Sequence, residues 1–420
     1  MELFELFESL KKEGKEELNI EIEPELPKVE LKQWIITILD WEHSFRINIK
    51  KLPMCFFENA FDHLDNNKSS SKVKGFSCVK CKFNFFCNGY YKEMESYVKP
   101  LVDMPKEIVI ELTHRCNLHC NFCFNQLCMR ESSEELNTEQ LKLIIAKIAQ
   151  LGICIVRFTG GEPFLRLDFI ELVKYAKDQG LQVWLNTNGT IANEATNQAA
   201  KLIDNVLISL AGFDRESDYK VTRLKKSFEN KLKTIEIMKS HGVTVRAGIV
   251  LTEPNIANIE RFFKLTESLG IRFVEFYRPV SLKLNAESMI RAIRVIFELN
   301  KKYRVNHKIA NAIPFCIYKP EISSRVSLGG LYDDGASRMV VSTNGRIKPA
   351  YYLELEMGNA LHDDLLRVWN SKKWRNLREL KYVPKNCKNC KWVYVCRGGS
   401  RSLAKIASGN LRGKDPLLKL

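Results

Sequence analysis

Three cysteines, Cys116, Cys120 and Cys123, are spaced CxxxCxxC within a single short stretch. Soft thiolates gathered this closely select iron–sulfur clusters or zinc. A 4Fe–4S cubane held by three cysteines leaves one iron without a protein ligand. An open coordination position is what a catalytic metal needs and a structural one lacks. The local pattern therefore predicts a 4Fe–4S cluster with one iron free to bind a small molecule.

Thirteen cysteines occur in the 420 residues, and eight more fall into two sets that resemble each other. Pro53-Met54-Cys55 precedes Cys78, Cys81 and Cys87, and Pro314-Phe315-Cys316 precedes Cys387, Cys390 and Cys396. Each reads as one cysteine after a proline, then CxxC, five residues and a third cysteine. Four thiolates complete the coordination of a cluster, so these are expected to be closed auxiliary sites for structure or electron relay. Zinc remains an alternative occupant, since CxxC pairs also build zinc sites. Cys154 lies in an apolar run and reads as a small core residue, and Cys128 is assigned no role.

The elements that must position these groups follow a rhythm. Glu107–Thr113 alternates β-branched and acidic residues and predicts a strand that delivers the first cysteine loop. Further strand-like runs end near Thr159, Asn186, Leu210, Thr252 and Val280. Helical patterns between and after them include Thr138–Gln150, Asp168–Asp178, Phe228–Ser240, Ile256–Ser268 and Ala286–Tyr303. Gly152, Gly180, Gly242 and Gly270 stand where helix C-terminal caps belong. Six βα units in series predict a parallel sheet with right-handed crossovers. The expected fold is α/β, a partial (β/α)6 TIM-like barrel with reactive groups at the C-terminal strand ends. After Val305 the rhythm is expected to stop, giving way to a hairpin turning on Asn344-Gly345 and a helix near Leu365–Leu380. The predicted organisation is an acidic arm over 1–30, a cysteine-rich auxiliary domain over 31–104, the barrel over 105–304 and a second auxiliary domain over 305–420.

Composition, 45% hydrophobic and 27% charged, is that of an ordinary globular chain. No apolar run reaches the roughly 18 residues of a membrane span, and Met1-Glu-Leu-Phe-Glu lacks the features of a secretion signal. A cytoplasmic protein without membrane contact is expected, where clustered cysteines more often mean metal than disulfides. The formal charge is +15, with −6 in residues 1–30 and +21 in the remainder. That surplus suits solubility or an acidic partner, including nucleic acid, although no nucleic-acid motif accompanies it.

On these residues the chain resembles the radical S-adenosylmethionine (SAM) superfamily. Cys116, Cys120 and Cys123 match its cysteine loop. Gly160-Gly161-Glu162-Pro163, at the end of the second strand, is similar to its GGEP motif. There the glycines permit close backbone approach and the carboxylate suits an ammonium group. The resemblance implies further SAM contacts from Phe122 against adenine, from the Asn186-Thr187-Asn188-Gly189 turn and from Ser209. Arg223 or Arg246 is implied for the SAM carboxylate. The family's usual Asp is replaced by Ala211 in Ser209-Leu210-Ala211-Gly212. No catalytic side chain is assigned. The implied chemistry is reductive cleavage of SAM to a 5′-deoxyadenosyl radical that abstracts hydrogen from a substrate.

The C-terminal set is similar to the SPASM/twitch extension of peptide- and protein-modifying members, including Trp392 and the Cys396-Arg397-Gly398-Gly399 run. It departs from the full pattern, because Ala350 and Ser400 stand where cysteines are usual. Cys316 is the candidate fourth ligand. The resemblance implies one or two auxiliary clusters, a low-potential donor of the ferredoxin or flavodoxin type and a peptide or protein substrate. A small cofactor precursor or RNA is the alternative substrate. A non-catalytic iron–sulfur or zinc protein is the alternative of a different class.

Overall fold

A computed structural model describes residues 104–123, 135–303, 306–318, 335, 337–390 and 393–418. Residues 9–10, 13, 15, 17–22, 46–50, 71–73, 90–91 and 93–94 are described from the N-terminal part. Cys55, Cys78, Cys81, Cys87, Cys128 and Trp392 lie outside the described residues. The chain divides into two units, Met1–Met104 with Pro320–Arg325, and the remainder.

In the first unit β1 (Glu17–Glu21) pairs in parallel with β2 (Arg46–Lys50). β3 (Lys72–Val73) pairs antiparallel with β4 (Tyr90–Tyr91). The acidic N-terminal stretch is thus in part a sheet strand. Leu18 and Ile20 alternate with Glu17, Asn19 and Glu21, the two-residue period of a half-buried strand.

The second unit is built on one ten-stranded sheet. Its strands are β5 (Glu107–Glu111), β6 (Ile155–Thr159), β7 (Gln182–Thr187), β8 (Asn205–Ser209), β9 (Thr244–Val250) and β10 (Phe273–Tyr277). β11 (Asn306–Ile309), β12 (Arg338–Val341), β13 (Arg346–Lys348) and β14 (Gly358–Asn359) complete it. The order is β11-β10-β9-β8-β7-β6-β5-β12-β13-β14. Every pairing from β11 through β12 is parallel. The six expected strands are all present, and the parallel sheet extends past both ends of that set. β11 adds to β10 beyond the point where the rhythm was expected to stop. Its four residues are too short a run to announce a strand by period.

The helices Thr138–Gln150, Phe169–Asp178, Ser227–Ser240, Ile259–Ser268 and Ala286–Lys302 bury apolar stripes. The expected helix over Ile256–Ser268 is divided, with Glu253–Ile256 ending before Asn258 and Ile259–Ser268 starting anew. The helix near Leu365–Leu380 is divided likewise into Leu365–Trp369 and Lys372–Arg378. Ser371 causes that break, since its side chain caps Trp374 N. Gly152, Gly180, Gly242 and Gly270 all adopt positive φ after helix ends, as the caps require. Among the described residues no helix is long and apolar enough to cross a membrane.

β12 and β13 form the expected hairpin, with Gly345 at φ 83° in its turn. Because β12 also pairs with β5, the SPASM-like hairpin is a direct continuation of the barrel sheet. Lys348 of β13 reaches Glu111 of β5 at 3.0 Å, both buried, and Thr343 meets the His114 imidazole at 2.6 Å.

Candidate active site

The cysteine loop begins where β5 ends, and its first turn is pinned from two sides. Thr113 Oγ1 and His114 N both donate to the Glu135 carboxylate, at 2.6 and 2.9 Å. From the other side Gly161 N donates to Thr113 O at 2.7 Å and Glu162 N to Arg115 O at 2.8 Å. A Cβ on Gly160 would stand 2.5 Å from Thr113 O, and one on Gly161 only 2.1 Å from Arg115 O. The glycines are therefore required by the approach of two backbones, the strand-end turn against the root of the cysteine loop. Gly161→Ala is expected to destabilise the protein by about 1–3 kcal/mol through this overpacking. It should also displace the loop, seen as a lower melting temperature together with lost iron.

Pro163 opens a short 3-10 turn, and this turns Glu162 inward. The Glu162 side chain is fully buried. It accepts from Thr187 Oγ1 at 2.8 and 2.9 Å, from Asn188 N at 2.8 Å and from Phe164 N at 3.2 Å. Among the described residues no basic group pairs with it. Burial raises its pKa to about 7, opposed by those hydrogen bonds. A buried carboxylate with donors but no cation fits an ammonium-bearing ligand.

Glu162 thereby ties the second-strand turn to the third. Within that turn Asn188 Nδ2 lies 3.7 Å from Cys116 Sγ and 2.9 Å from Asn117 Oδ1. Asn186 points elsewhere, accepting from Arg157 at 3.2 Å and meeting the Tyr351 hydroxyl at 3.5 Å.

Cys116, Cys120 and Cys123 are each half-buried. Burial raises the Cys116 thiol and pushes Cys120 up to about 12, with neighbouring cysteines adding to both effects. Lys231 opposes the rise at Cys120. Three mutually repelling soft donors at one loop suit a multivalent iron cluster, which takes them as thiolates. Among the described residues no three such side chains converge as they would around a single metal ion. A cubane sets a different requirement, since each thiolate binds its own iron.

Sequence reasoning missed the wall behind this loop. Lys231 and Asp218 form an ion pair with side chains 1% and 0% exposed. A Cβ on Gly189 would stand 3.4 Å from Lys231 Cγ, so the lysine stem lies directly beneath the Asn186–Gly189 turn. The signal was present in the sequence, because Lys231 falls on the inward stripe Ser227, Lys231, Thr234, Ile235 and Met238.

Ser209 ends β8, exposed and in register with Gly248. Phe122 is half-buried beside Cys123. The two candidate arginines separate. Arg246 is bound to Glu275 at 2.7 Å and to Asn205 at 2.8 Å, low in the barrel. Arg223 is exposed, after the helix Arg215–Thr222, and meets no carboxylate among the described residues.

The second cysteine set is assembled by short contacts. Phe315 N donates to Cys396 Sγ at 3.4 Å, which places Cys316 beside that sulfur. A Cβ on Gly398 would lie 3.5 Å from Cys387 Sγ. Burial first, then the charges of Cys396 and Cys390, raise the Cys316 thiol, so all four sulfurs share one neighbourhood. Ser400 has a different task from the usual cysteine. Fully buried, it donates its N–H to Asp415 at 2.8 Å, while its hydroxyl caps Leu403 N at 3.2 Å. Asp415 in turn pairs with Arg278, just beyond β10, at 2.9 Å, which anchors this region to the barrel.

Against known families, residues 110–266 match the radical SAM superfamily and residues 334–391 the SPASM iron–sulfur cluster-binding domain. The chain is a radical SAM enzyme with a C-terminal SPASM domain. Its cofactors are accordingly SAM and 4Fe–4S clusters. This radical SAM enzyme is 26% identical to the Fe-coproporphyrin III synthase of Methanosarcina barkeri (strain Fusaro / DSM 804), over 77% of this chain and 90% of that one. It is equally 26% identical to the PqqA peptide cyclase of Rhizobium meliloti (strain 1021), over 76% and 88%. Its fold is similar to that of Streptococcus suis SuiB bound to the precursor peptide SuiA, with a TM-score of 0.63 at 18% identity, over 76% and 77% of the chains.

Proposed function

We propose that this enzyme modifies a side chain of a peptide or protein substrate, with Cys116, Cys120 and Cys123 holding the open cluster. The observation that carries the site is Glu162, a fully buried carboxylate that meets no cation among the described residues, facing the turn that touches Cys116. A cluster held there would supply the single electron for reductive cleavage of SAM.

The chain's own residues bind and orient. Glu162 takes the SAM ammonium, and Gly160 and Gly161 fix the root of the cysteine loop. Phe122 stacks on adenine, and Asn188 lies along the ribose, whereas the Asn186 side chain is held by Arg157. Ser209 and Arg223 receive the SAM carboxylate, since Arg246 is already bound to Glu275. Cys316, Cys387, Cys390 and Cys396 form a closed four-thiolate site. A peptide target is supported by the SPASM region and by the peptide cyclase and peptide-bound relatives.

A second reading is a small polycarboxylate substrate, as the synthase relative suggests. One observation favours it: Nη2 of Arg246 is buried within the barrel without a hydrogen-bond partner.

Anaerobic reconstitution with iron and sulfide, then dithionite and SAM, is expected to release 5′-deoxyadenosine. Cys116→Ala/Cys120→Ala/Cys123→Ala should abolish the release and the electron paramagnetic resonance signal of the open cluster, while iron at the other sets persists. An unchanged signal in the triple variant overturns the ligand assignment. Mass shifts on peptides copurified from the host, against none on porphyrin precursors, support the peptide reading, and the reverse pattern overturns it.

A further inference from the structure

Thr343 stands at the tip of the β12–β13 hairpin, second in the four-residue turn that Gly345 N closes onto Ser342 O at 2.9 Å. Turns belong on the surface, where water meets their polar groups. Thr343 is nevertheless only 2% exposed. Its neighbours spend their side chains inside the hairpin. Ser342 Oγ donates to Asn344 Oδ1 at 2.8 Å, and Arg346 N donates to the same oxygen at 3.3 Å. Thr343 spends its polar atoms outside it. Its hydroxyl meets His114 Nε2 at 2.6 Å, and its carbonyl accepts from Leu136 N at 2.8 Å.

These two partners flank the stretch that carries all three cysteines of the first motif. His114 lies two residues before Cys116, and Leu136 follows on the far side of Cys123. The flanks are also tied to one another. One Glu135 carboxylate oxygen accepts from the Thr113 hydroxyl and from His114 N, at 2.6 and 2.9 Å. Arg166 Nη1 donates to Leu112 O at 2.9 Å and to Leu136 O at 3.0 Å. The two bonds of Thr343 close this ring from the SPASM side, and the pairing of β12 with β5 fixes the hairpin that brings them. Ligands carried on a connecting stretch keep their conformational freedom unless its ends are held. Threonine suits the task because its β-branch restricts χ1 and so aims the hydroxyl in advance. A hairpin that only extended the sheet would have no use for a buried hydroxyl at its tip.

We propose that Thr343 is a positioning residue for the open cluster. Acting through His114 and Leu136, it makes the placement of the Cys116, Cys120 and Cys123 sulfurs depend on the SPASM hairpin. The inference rests on the reading of those three cysteines as the cluster's ligands.

The test compares Thr343→Val, which keeps the β-branched shape and deletes the hydroxyl, with Thr343→Ser, which keeps the hydroxyl. Thr266→Val controls for stability alone. It deletes a buried hydroxyl 3.5 Å from the buried His307 imidazole, on the helix Ile259–Ser268. In the metal-free full chain, Thr343→Val is expected to speed amide hydrogen exchange over residues 114–123 about tenfold. Thr343→Ser should stay near wild type there, and Thr266→Val should not change that stretch. After anaerobic reconstitution, Thr343→Val should broaden the electron paramagnetic resonance signal of the open cluster and raise the SAM dissociation constant about tenfold. Serine should restore both. A lower melting temperature alone, with exchange, signal and SAM binding as in wild type, overturns the positioning role and leaves the ligand assignment standing. Serine behaving like valine overturns it as well. An open-cluster signal that persists in Cys116→Ala/Cys120→Ala/Cys123→Ala overturns the ligand assignment and the proposal with it.

Discussion

Glu162→Gln is expected to cut SAM affinity at least about thirtyfold, yet to make the metal-free protein more stable above neutral pH. Both effects have one cause. The carboxylate is fully buried and meets no cation among the described residues, and its pKa is raised from 4.5 to about 7, chiefly by desolvation. In the unfolded chain the same group ionises near its ordinary value. Below pH 4.5 both states hold the proton and the group contributes nothing to pH dependence. Between 4.5 and about 7 the unfolded state alone loses it, so stability falls as pH rises. Above about 7 the full cost, of order 3 kcal/mol, is present. Glutamine cannot ionise, so the variant should gain up to about that much at pH 8 and nothing at pH 4. The figure is an upper one, because the new amide N–H groups need acceptors that the two backbone N–H groups do not provide. Urea unfolding at the two pH values checks the sign.

SAM binding should move the opposite way. An ammonium beside Glu162 requires the ionised form, so wild-type affinity should weaken about tenfold per pH unit below about 7. The variant should bind weakly and without that slope, since a truncated buried charge pair costs about 2–5 kcal/mol. A variant that binds SAM as tightly as wild type would remove Glu162 from the ligand site.

The division between what could be read and what could not follows the range of the interactions. Period-two runs and capping glycines are local, and they located β5 to β10 and all four helix ends at Gly152, Gly180, Gly242 and Gly270. The CxxxCxxC loop and Gly160–Pro163 were legible because their chemistry is written in adjacent residues. β11 was not, since Asn306–Ile309 is a strand only because β10 offers it a free edge. Nor was the direct pairing of β12 with β5, which joins residues more than two hundred positions apart. The close backbone approach expected at Gly160 and Gly161 is to Thr113 and Arg115, a partner that only the folded chain identifies. The choice between Arg223 and Arg246 needed the register that sets Arg246 within reach of Glu275. Lys231 was passed over as one more charge on a basic chain. Only its place on an inward helical stripe separates it from the exposed lysines.

That lysine gives the second large effect. Asp218→Ala is expected to destabilise the protein by about 3–5 kcal/mol, the cost of leaving a buried cation unpaired. Lys231→Met/Asp218→Leu should recover most of it, because replacing both charges with apolar groups of similar size removes two desolvation penalties together with one attraction. If the pair served stability alone, the double variant would then be a sound enzyme. The surroundings argue otherwise. Asp218 N lies where a Cβ on Gly212 would come within 2.2 Å, and Thr222 hydrogen-bonds Asp218 from one turn on. Lys231 lies under Gly189, one residue from the Asn188 that meets Cys116. The charge pair therefore ties the turn at Gly212 to the turn at Gly189, and two flexible apolar chains would fill its volume without fixing its geometry. Near-normal unfolding free energy combined with a broadened cluster signal and weakened SAM binding is the expected result for the double variant. Full recovery of both would show that the pair is interchangeable with packing.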